Sequence, residues 1–279
     1  MLKSFAKVNL VLDLVEKRAD GFHEVEFVMQ EISLHDEIKI KESNELEIKC
    51  NDSSIPLNEK NSCYKAVRLL QEISGIGQNV SIELKKNIPS ASGLGGGTSN
   101  AATVLKYLNK EWKLNYSNEK LSQIAKQVGA DVAFFLCGKT ALIKGIGEIV
   151  FPIKSIPKMQ VLVITPKIAV PENKTKWIYS KVKVNELIHP SCTEMINAIE
   201  LSDKKMIALK LGNVFEQMQL NEYEGVFGLI KELRNDSLNA LLAGSGPSVF
   251  ALFDSESEAK SAFNQYRKKF DSVFLCETI

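Results

Sequence analysis

The chain has 279 residues, enough for one large domain or two medium ones, each with its own core. Its 35 lysines and arginines balance 34 aspartates and glutamates, which excludes a global field drawing it to nucleic acid or an anionic membrane; an anionic ligand has to be caught locally. No stretch approaches the eighteen or so uncharged apolar residues of a membrane-spanning helix, and the five cysteines are scattered and never in Cys-x-x-Cys spacing, which suits a reducing cytoplasm without disulfide framework or zinc site.

The chain opens with MLKSFAKVNLVLDLVEK, whose apolar stretch is interrupted by Lys7, Asn9 and Asp13, so no export signal is expected. Ala6, Val8, Leu10, Leu12 and Leu14 recur at every second position, the period of a half-buried strand, which puts Lys7 and Asn9 together on its other face. LEIKC and NVSIEL read as two more strands, and SCYKAVRLLQEI between them has helical spacing. Beyond a glycine-rich segment, Ala101, Val104, Leu105 and Leu108 share one helical face; Leu121, Ile124, Ala125 and Val128 mark another helix, stopped by Gly129. FPIKSIPKMQ, with two prolines and little periodicity, precedes the apolar strand VLVIT, which places a lobe boundary near residue 155. The chain closes with a strand into AGSGPSVFALF, a helix from Ser255 with Glu258 completing a capping box, and the strand SVFLC. The expected class is α+β, in two lobes at 1–155 and 156–279.

The strongest signal is PSASGLGGGTSNAATVL, where Gly93, Gly95, Gly96 and Gly97 stand directly before hydroxyl residues and a well-patterned helix. Glycines allow positive φ and close approach, so successive amides converge on phosphate oxygens, and a helix starting near Thr98 adds its free amides and dipole to the same spot. Thr98 and Ser99 either cap that helix or bond a phosphate or a magnesium-bound water. The bland alternative is a flexible turn before a capped helix. The dinucleotide fingerprint is excluded because Thr98 occupies its third glycine position, and Gly138-Lys139-Thr140 lacks the earlier glycine of a Walker A loop, Ala133 standing there instead.

The loop Pro89, Ser90, Ala91, Ser92, Gly93, Leu94, Gly95, Gly96, Gly97, Thr98, Ser99 resembles the phosphate loop of the galactokinase, homoserine kinase and mevalonate kinase (GHMP) superfamily, and LAGSGPSVFALF resembles its carboxy-terminal glycine motif, with Gly244, Ser245 and Gly246 at the turn. Within it, Ala6-Lys7-x-Asn9-Leu10, then Arg18, Asp20, Gly21, Phe22 and His23, with GADVAFFLCGKTALIKGIGE in the middle, resemble the 4-diphosphocytidyl-2-C-methyl-D-erythritol kinase family over nearly the whole chain. The resemblance implies the two-lobed GHMP kinase fold, with a ribosomal-protein-like α/β amino-terminal lobe that binds ATP and a ferredoxin-like α+β carboxy-terminal lobe. It implies ATP- and magnesium-dependent phosphorylation of the 2-hydroxyl of a cytidine diphosphate derivative of methylerythritol in the non-mevalonate isoprenoid route, with a small molecule as partner, no nucleic acid, no membrane, and a cytoplasmic location.

Asp131, alone before VAFFL, reads from its surroundings as a helix cap or a functional carboxylate; the resemblance makes it the group that orients the hydroxyl and takes its proton. An aspartate's ordinary pKa of about 3.9 suits late proton acceptance in a loose transition state. Lys7, by itself a solvated strand lysine, is placed nearby by the resemblance, with Asn9 beside it. Phe22 and His23, after the Asp20-Gly21 turn, are the implied cytosine readers, and Tyr179, reached through Thr175, supplies the implied second aromatic. Glu172, Asn173 and Lys174 look like an insertion between Val170-Pro171 and Thr175, relative to the family's shorter link. Competing readings are a homoserine- or mevalonate-type kinase, against which Asp20 to His23 argue, and a non-catalytic nucleotide or RNA binding protein on the same scaffold.

Overall fold

A computed structural model of the chain describes residues 1–169, 171, 173–218 and 220–279. In chain order its elements are β1 (Leu2–Lys17), β2 (His23–Ser43), β3 (Glu47–Cys50), α1 (Ser62–Ser74), β4 (Asn79–Lys85), α2 (Gly96–Glu111), α3 (Asn118–Val128), α4 (Val132–Cys137), β5 (Thr140–Lys144) and β6 (Ile149–Pro152). There follow β7 (Gln160–Ile164), α5 (Lys174–Ser180), α6 (Cys192–Glu200), α7 (Lys204–Leu209), β8 (Gly212–Asn213), α8 (Glu224–Asp236), β9 (Asn239–Leu242), β10 (Val249–Phe253), α9 (Glu256–Tyr266) and β11 (Val273–Glu277). One sheet runs β3-β4-β2-β1-β8, with β5 also on β2 and β6 on β5; the other is β11-β7-β10-β9, antiparallel throughout. The later part of the chain returns to the first sheet through β8, whose Asn213 pairs in parallel with Leu12.

The apolar alternation of β1 holds only as far as Leu10. The β1–β2 register slips between Asn9 and Val11, so Leu10 and Val11 fall on one face and the parity reverses beyond them. Ala6, Val8, Leu10 and Val11 enter a core shared with Val161 and Val163 of β7, Phe250 of β10 and Met195 of α6. Leu12 and Leu14 enter the core beneath α1 and α2. The expectation that Ala6 through Leu14 line one face is therefore corrected: Lys7, Asn9, Leu12 and Leu14 share the face opposite Ala6 and Leu10. Because β1 is covered on both sides, Lys7 and Asn9 are 4 % and 0 % exposed, not solvated strand residues.

The helix after the glycines begins earlier than Thr98. Gly95, at φ 73°, is the residue before its first turn, and no side chain caps it. Thr98 Oγ1 donates to the Gly95 carbonyl (2.9 Å), and Ser99 Oγ turns inward to Ser4 Oγ of β1 (2.7 Å), so neither hydroxyl caps the helix. Ser99 belongs to a buried polar set: Asn100 Nδ2 donates to Ser4 Oγ and to Asp36 Oδ2 (both 2.9 Å), Lys86 pairs with Asp36, and Asp36 Oδ1 accepts from the amides of Asn87 (2.8 Å) and Ile88 (2.9 Å). Both ends of the glycine loop are thereby fastened to β1 and β2. The expected Gly129 stop and the Ser255–Glu258 cap are present, with the Glu258 amide donating to Ser255 Oγ at 3.2 Å. Thr140 Oγ1 is spent inside the core on Gln30 Oε1, and Gly138 and Lys139 only turn the chain from α4 into β5.

Candidate active site

Between the sheets and α2 lies a cleft of about 1530 Å³ lined by β1, the Asp20–His23 turn, the glycine loop, Asp131, α5 and the Gly244–Ser245 turn. One small ligand fills roughly 300 to 1,000 Å³, so this volume accommodates two. Lys7, Lys17, Lys60, Lys86, Lys174 and Lys176 line it against Asp20 and Asp131. A chain of almost no net charge thus concentrates cations along this cleft, which favours an anionic ligand.

The glycine loop is shaped by the turn that joins β9 to β10. A Cβ on Gly93 (φ 89°) would lie 1.9 Å from the Ala243 carbonyl oxygen, and one on Gly244 (φ 56°) would lie 2.9 Å from the Gly93 oxygen and 3.3 Å from Lys7 Nζ. The Ser248 amide donates to the Ser92 carbonyl at 3.1 Å, tying the turn to the loop. Asn213 Nδ2 donates to the carbonyls of Leu242 (2.9 Å) and Gly244 (2.8 Å), and buried Tyr223 donates to Ser245 O (2.8 Å). Gly97 differs: the nearest atom to a Cβ there is Ser62 Oγ at 3.9 Å, so the space beside it is open. The amides of Gly96, Gly97 and Thr98, in the uncapped first turn of α2, face no intrahelical acceptor. Leu94 is fully buried, and with Ser99 it supports the loop without lining the cleft.

Lys7 is held by its backbone and its side chain. Its amide donates to the Leu94 carbonyl (3.0 Å), while Nζ donates to Asn9 Oδ1 (2.6 Å) and stands 3.6 Å from Asp131 Oδ2. Asp131 occupies the residue before α4, yet its side chain makes no capping bond and stays directed to Lys7. Asn9 Nδ2 is buried without a partner among the described residues. An unpaired buried donor costs about 1 to 3 kcal/mol, a cost that a ligand oxygen removes.

Across the cleft, Asp20 Oδ1 accepts the Phe22 amide (3.0 Å), and Arg18 binds both Asp20 and Glu24, fixing the turn before β2. His23 is buried, and its Nε2 also lacks a partner among the described residues. Burial, with Lys17 adding to it, lowers its pKa below the ordinary imidazole value, so it is neutral at pH 7. Its edge meets Tyr179 (centroids 5.7 Å apart), which in turn meets Phe215 (5.1 Å). Burial pushes the Tyr179 phenol up, keeping it protonated. Phe22 instead stands 58 % exposed at the rim. Thr175 Oγ1 is 3.4 Å from Ser245 Oγ. Of the insertion expected ahead of it, Glu172 lies outside the described residues, as does the flanking Val170; Asn173 (φ 52°) leads into α5, which starts at Lys174.

Sequence reasoning missed Lys86 with its Asp36 partner, and it missed Lys174. The first had a signal in the lysine pair just before the loop. The second had none beyond its place in an apparent insertion.

This architecture is that of the GHMP kinases: the family descriptions "GHMP kinases N terminal domain" and "GHMP kinases C terminal" match residues 61–139 and 195–272. The chain is 36 % identical over 281 residues to a 4-diphosphocytidyl-2-C-methyl-D-erythritol kinase of Clostridium beijerinckii, covering 100 % of this chain and 99 % of that one. It is 38 % identical to one of Caldicellulosiruptor bescii, covering 99 % and 97 %. A crystal structure of a 4-(cytidine 5'-diphospho)-2C-methyl-D-erythritol kinase superposes with a TM-score of 0.83 at 26 % identity, covering 99 % and 98 %. A Methanococcus jannaschii mevalonate kinase, at 0.72 and 16 %, covering 100 % and 98 %, shares the fold. The chain belongs to the 4-diphosphocytidyl-2-C-methyl-D-erythritol kinase family.

Gly93→Ala is expected to cost about 3 kcal/mol or more in chemical denaturation, since its methyl meets backbone in a left-handed conformation. Gly97→Ala, with open space beside it, should stay within about 1 kcal/mol and weaken calorimetric binding of tripolyphosphate instead.

Proposed function

We propose that the protein transfers the γ-phosphoryl group of ATP to the 2-hydroxyl of 4-diphosphocytidyl-2-C-methyl-D-erythritol, on the route to isoprenoid precursors, with ATP held by the 1–155 half and residues 156–279 closing the site. The observation that carries the reading is that Asn9 and His23, each with a buried nitrogen that has no partner among the described residues, line one cleft that also holds the Lys7–Asp131 pair and the glycine loop.

In this reading the amides of Gly96, Gly97 and Thr98 hold the nucleotide phosphates, and the cationic lining offsets their charge. The acceptor oxygen forms its bond to the γ-phosphorus as the bond to the departing ADP oxygen breaks. Asp131 orients the hydroxyl and receives its proton late, when the oxygen has become acidic. Lys7, fixed by Asn9, compensates charge on the same oxygen and on the moving phosphoryl group. Magnesium would accompany ATP as part of the substrate and would supply charge neutralisation at its phosphates; among the described residues no group of three histidines, cysteines, aspartates or glutamates is placed to hold a metal alone. Neutral His23 offers an acceptor nitrogen to the exocyclic amine of cytosine, a role that protonation would end. Tyr179 and Phe22 provide the apolar surfaces beside it, and Thr175 lines the wall between the base and the Gly244–Ser245 turn.

ADP release from ATP and magnesium should require the cytidyl acceptor, with homoserine and mevalonate inert; release with either of those would overturn the cytosine pocket. The His23 pKa adds a pH test. A lowered pKa means the acceptor nitrogen is present throughout the neutral range and lost only in acid. Calorimetric affinity for cytidine diphosphate should be level through the neutral range and fall in acid as the imidazole takes up a proton.

A further inference from the structure

Lys174 stands in the stretch that looks like an insertion, and it is 8 % exposed. Its ammonium donates to the Ala91 carbonyl (2.9 Å) and to the Gly246 carbonyl. Ala91 belongs to the phosphate loop and sits at φ 52°, a conformation disfavoured for a residue with a Cβ. Gly246 belongs to the turn behind that loop. One cation from the first residue of α5 therefore joins the two backbone segments that shape the phosphate site, while also lining the cleft.

We infer that Lys174 is a positioning residue for ATP, holding the phosphate loop in its binding conformation by clamping the carbonyl of left-handed Ala91 to that of Gly246. The inference rests on the kinase reading above. Bonds from a charged donor are stronger than neutral ones, so the clamp depends on the ammonium being protonated. Burial, with the charge of Lys7 adding to it, lowers Lys174 to about 8. Of the elements that meet it, loop residues 89–95 and turn residues 244–247 carry no titratable side chain. Strand β1 contributes Lys7, itself beside Asp131, and α5 contributes Lys176 and Tyr179. Loss of the proton weakens both bonds and removes a positive charge from the phosphate site. The approach of a polyphosphate does the opposite, favouring the protonated clamp.

The test compares wild type with Lys174→Met and Lys174→Arg. The Met variant should raise KM for ATP about tenfold with a smaller change in kcat, and should speed hydrogen exchange of the amides of residues 90–97 in ligand-free protein at fixed pH. Wild-type KM for ATP should climb as pH passes through about 8, the Met variant should be high and flat, and the Arg variant, permanently charged, should be low and flat. A Met variant with wild-type KM and unchanged loop exchange overturns the inference. So does a wild-type KM that is level from about pH 7 to 9.5, a result that holds even if the Met variant fails to fold. If wild type turns over no ATP the kinase reading falls, and loop exchange alone then decides the clamp.

Discussion

Two glycine turns meet backbone to backbone, and the site depends on that contact. Gly93 and Gly244 approach so closely that a side chain on either would strike a carbonyl oxygen of the opposite turn, in the case of Gly93 at 1.9 Å. The contact is possible because β8 brings residues 212–213 back onto β1, from where Asn213 holds the Leu242 and Gly244 carbonyls. The turn before β10 is thus pressed against the loop before α2, and Lys7 lies against both. The two sheets share a core at this line, with Ala6, Val8 and Leu10 of β1 packed against β7 and β10. A displacement of either sheet moves the phosphate loop and the lysine together.

The polar face of β1 is costly by the ordinary rules of folding. Lys7 and Asn9 are withdrawn from water, and the Asn9 amide nitrogen is left without a partner among the described residues, a penalty of about 1 to 3 kcal/mol. His23 Nε2 bears a similar burden across the cleft. Hydrophobic packing surrounds the bulge in β1, and the Asp36–Lys86–Asn100 set lies beneath the loop. Two buried nitrogens among the residues that line the cleft thus keep unspent hydrogen-bonding capacity among the described residues, which a bound ligand could use to concentrate binding energy at a reacting centre.

The first strand, the helices and the glycine loop were legible as structure because each rests on local periodicity or on a dense cluster of glycines. Asp131 and Lys7 were legible only through resemblance: nothing local distinguishes a functional aspartate from a helix cap, and the decisive fact, that its carboxylate leaves the helix uncapped and lies 3.6 Å from Lys7, is tertiary. The bulge at Leu10–Val11 escaped the alternation pattern because both residues are apolar, so a slip of one position leaves the spelling unchanged. Ser99 looked like a phosphate ligand from its place in the loop, yet its partner Ser4 is ninety-five residues away. Phe22 was expected to face Tyr179 across a base; the ring edge that meets Tyr179 belongs to His23, one residue on.

Phosphoryl transfer as proposed requires Asp131 to act on the acceptor and not merely to support Lys7. Its most direct test is Asp131→Asn, which keeps size and hydrogen bonding but cannot take a proton. In that variant single-turnover phosphoryl transfer should be slowed by about 10² to 10⁴, with calorimetric affinities for ATP and for the cytidyl acceptor nearly unchanged. Transfer at the wild-type rate with both ligands bound would contradict it.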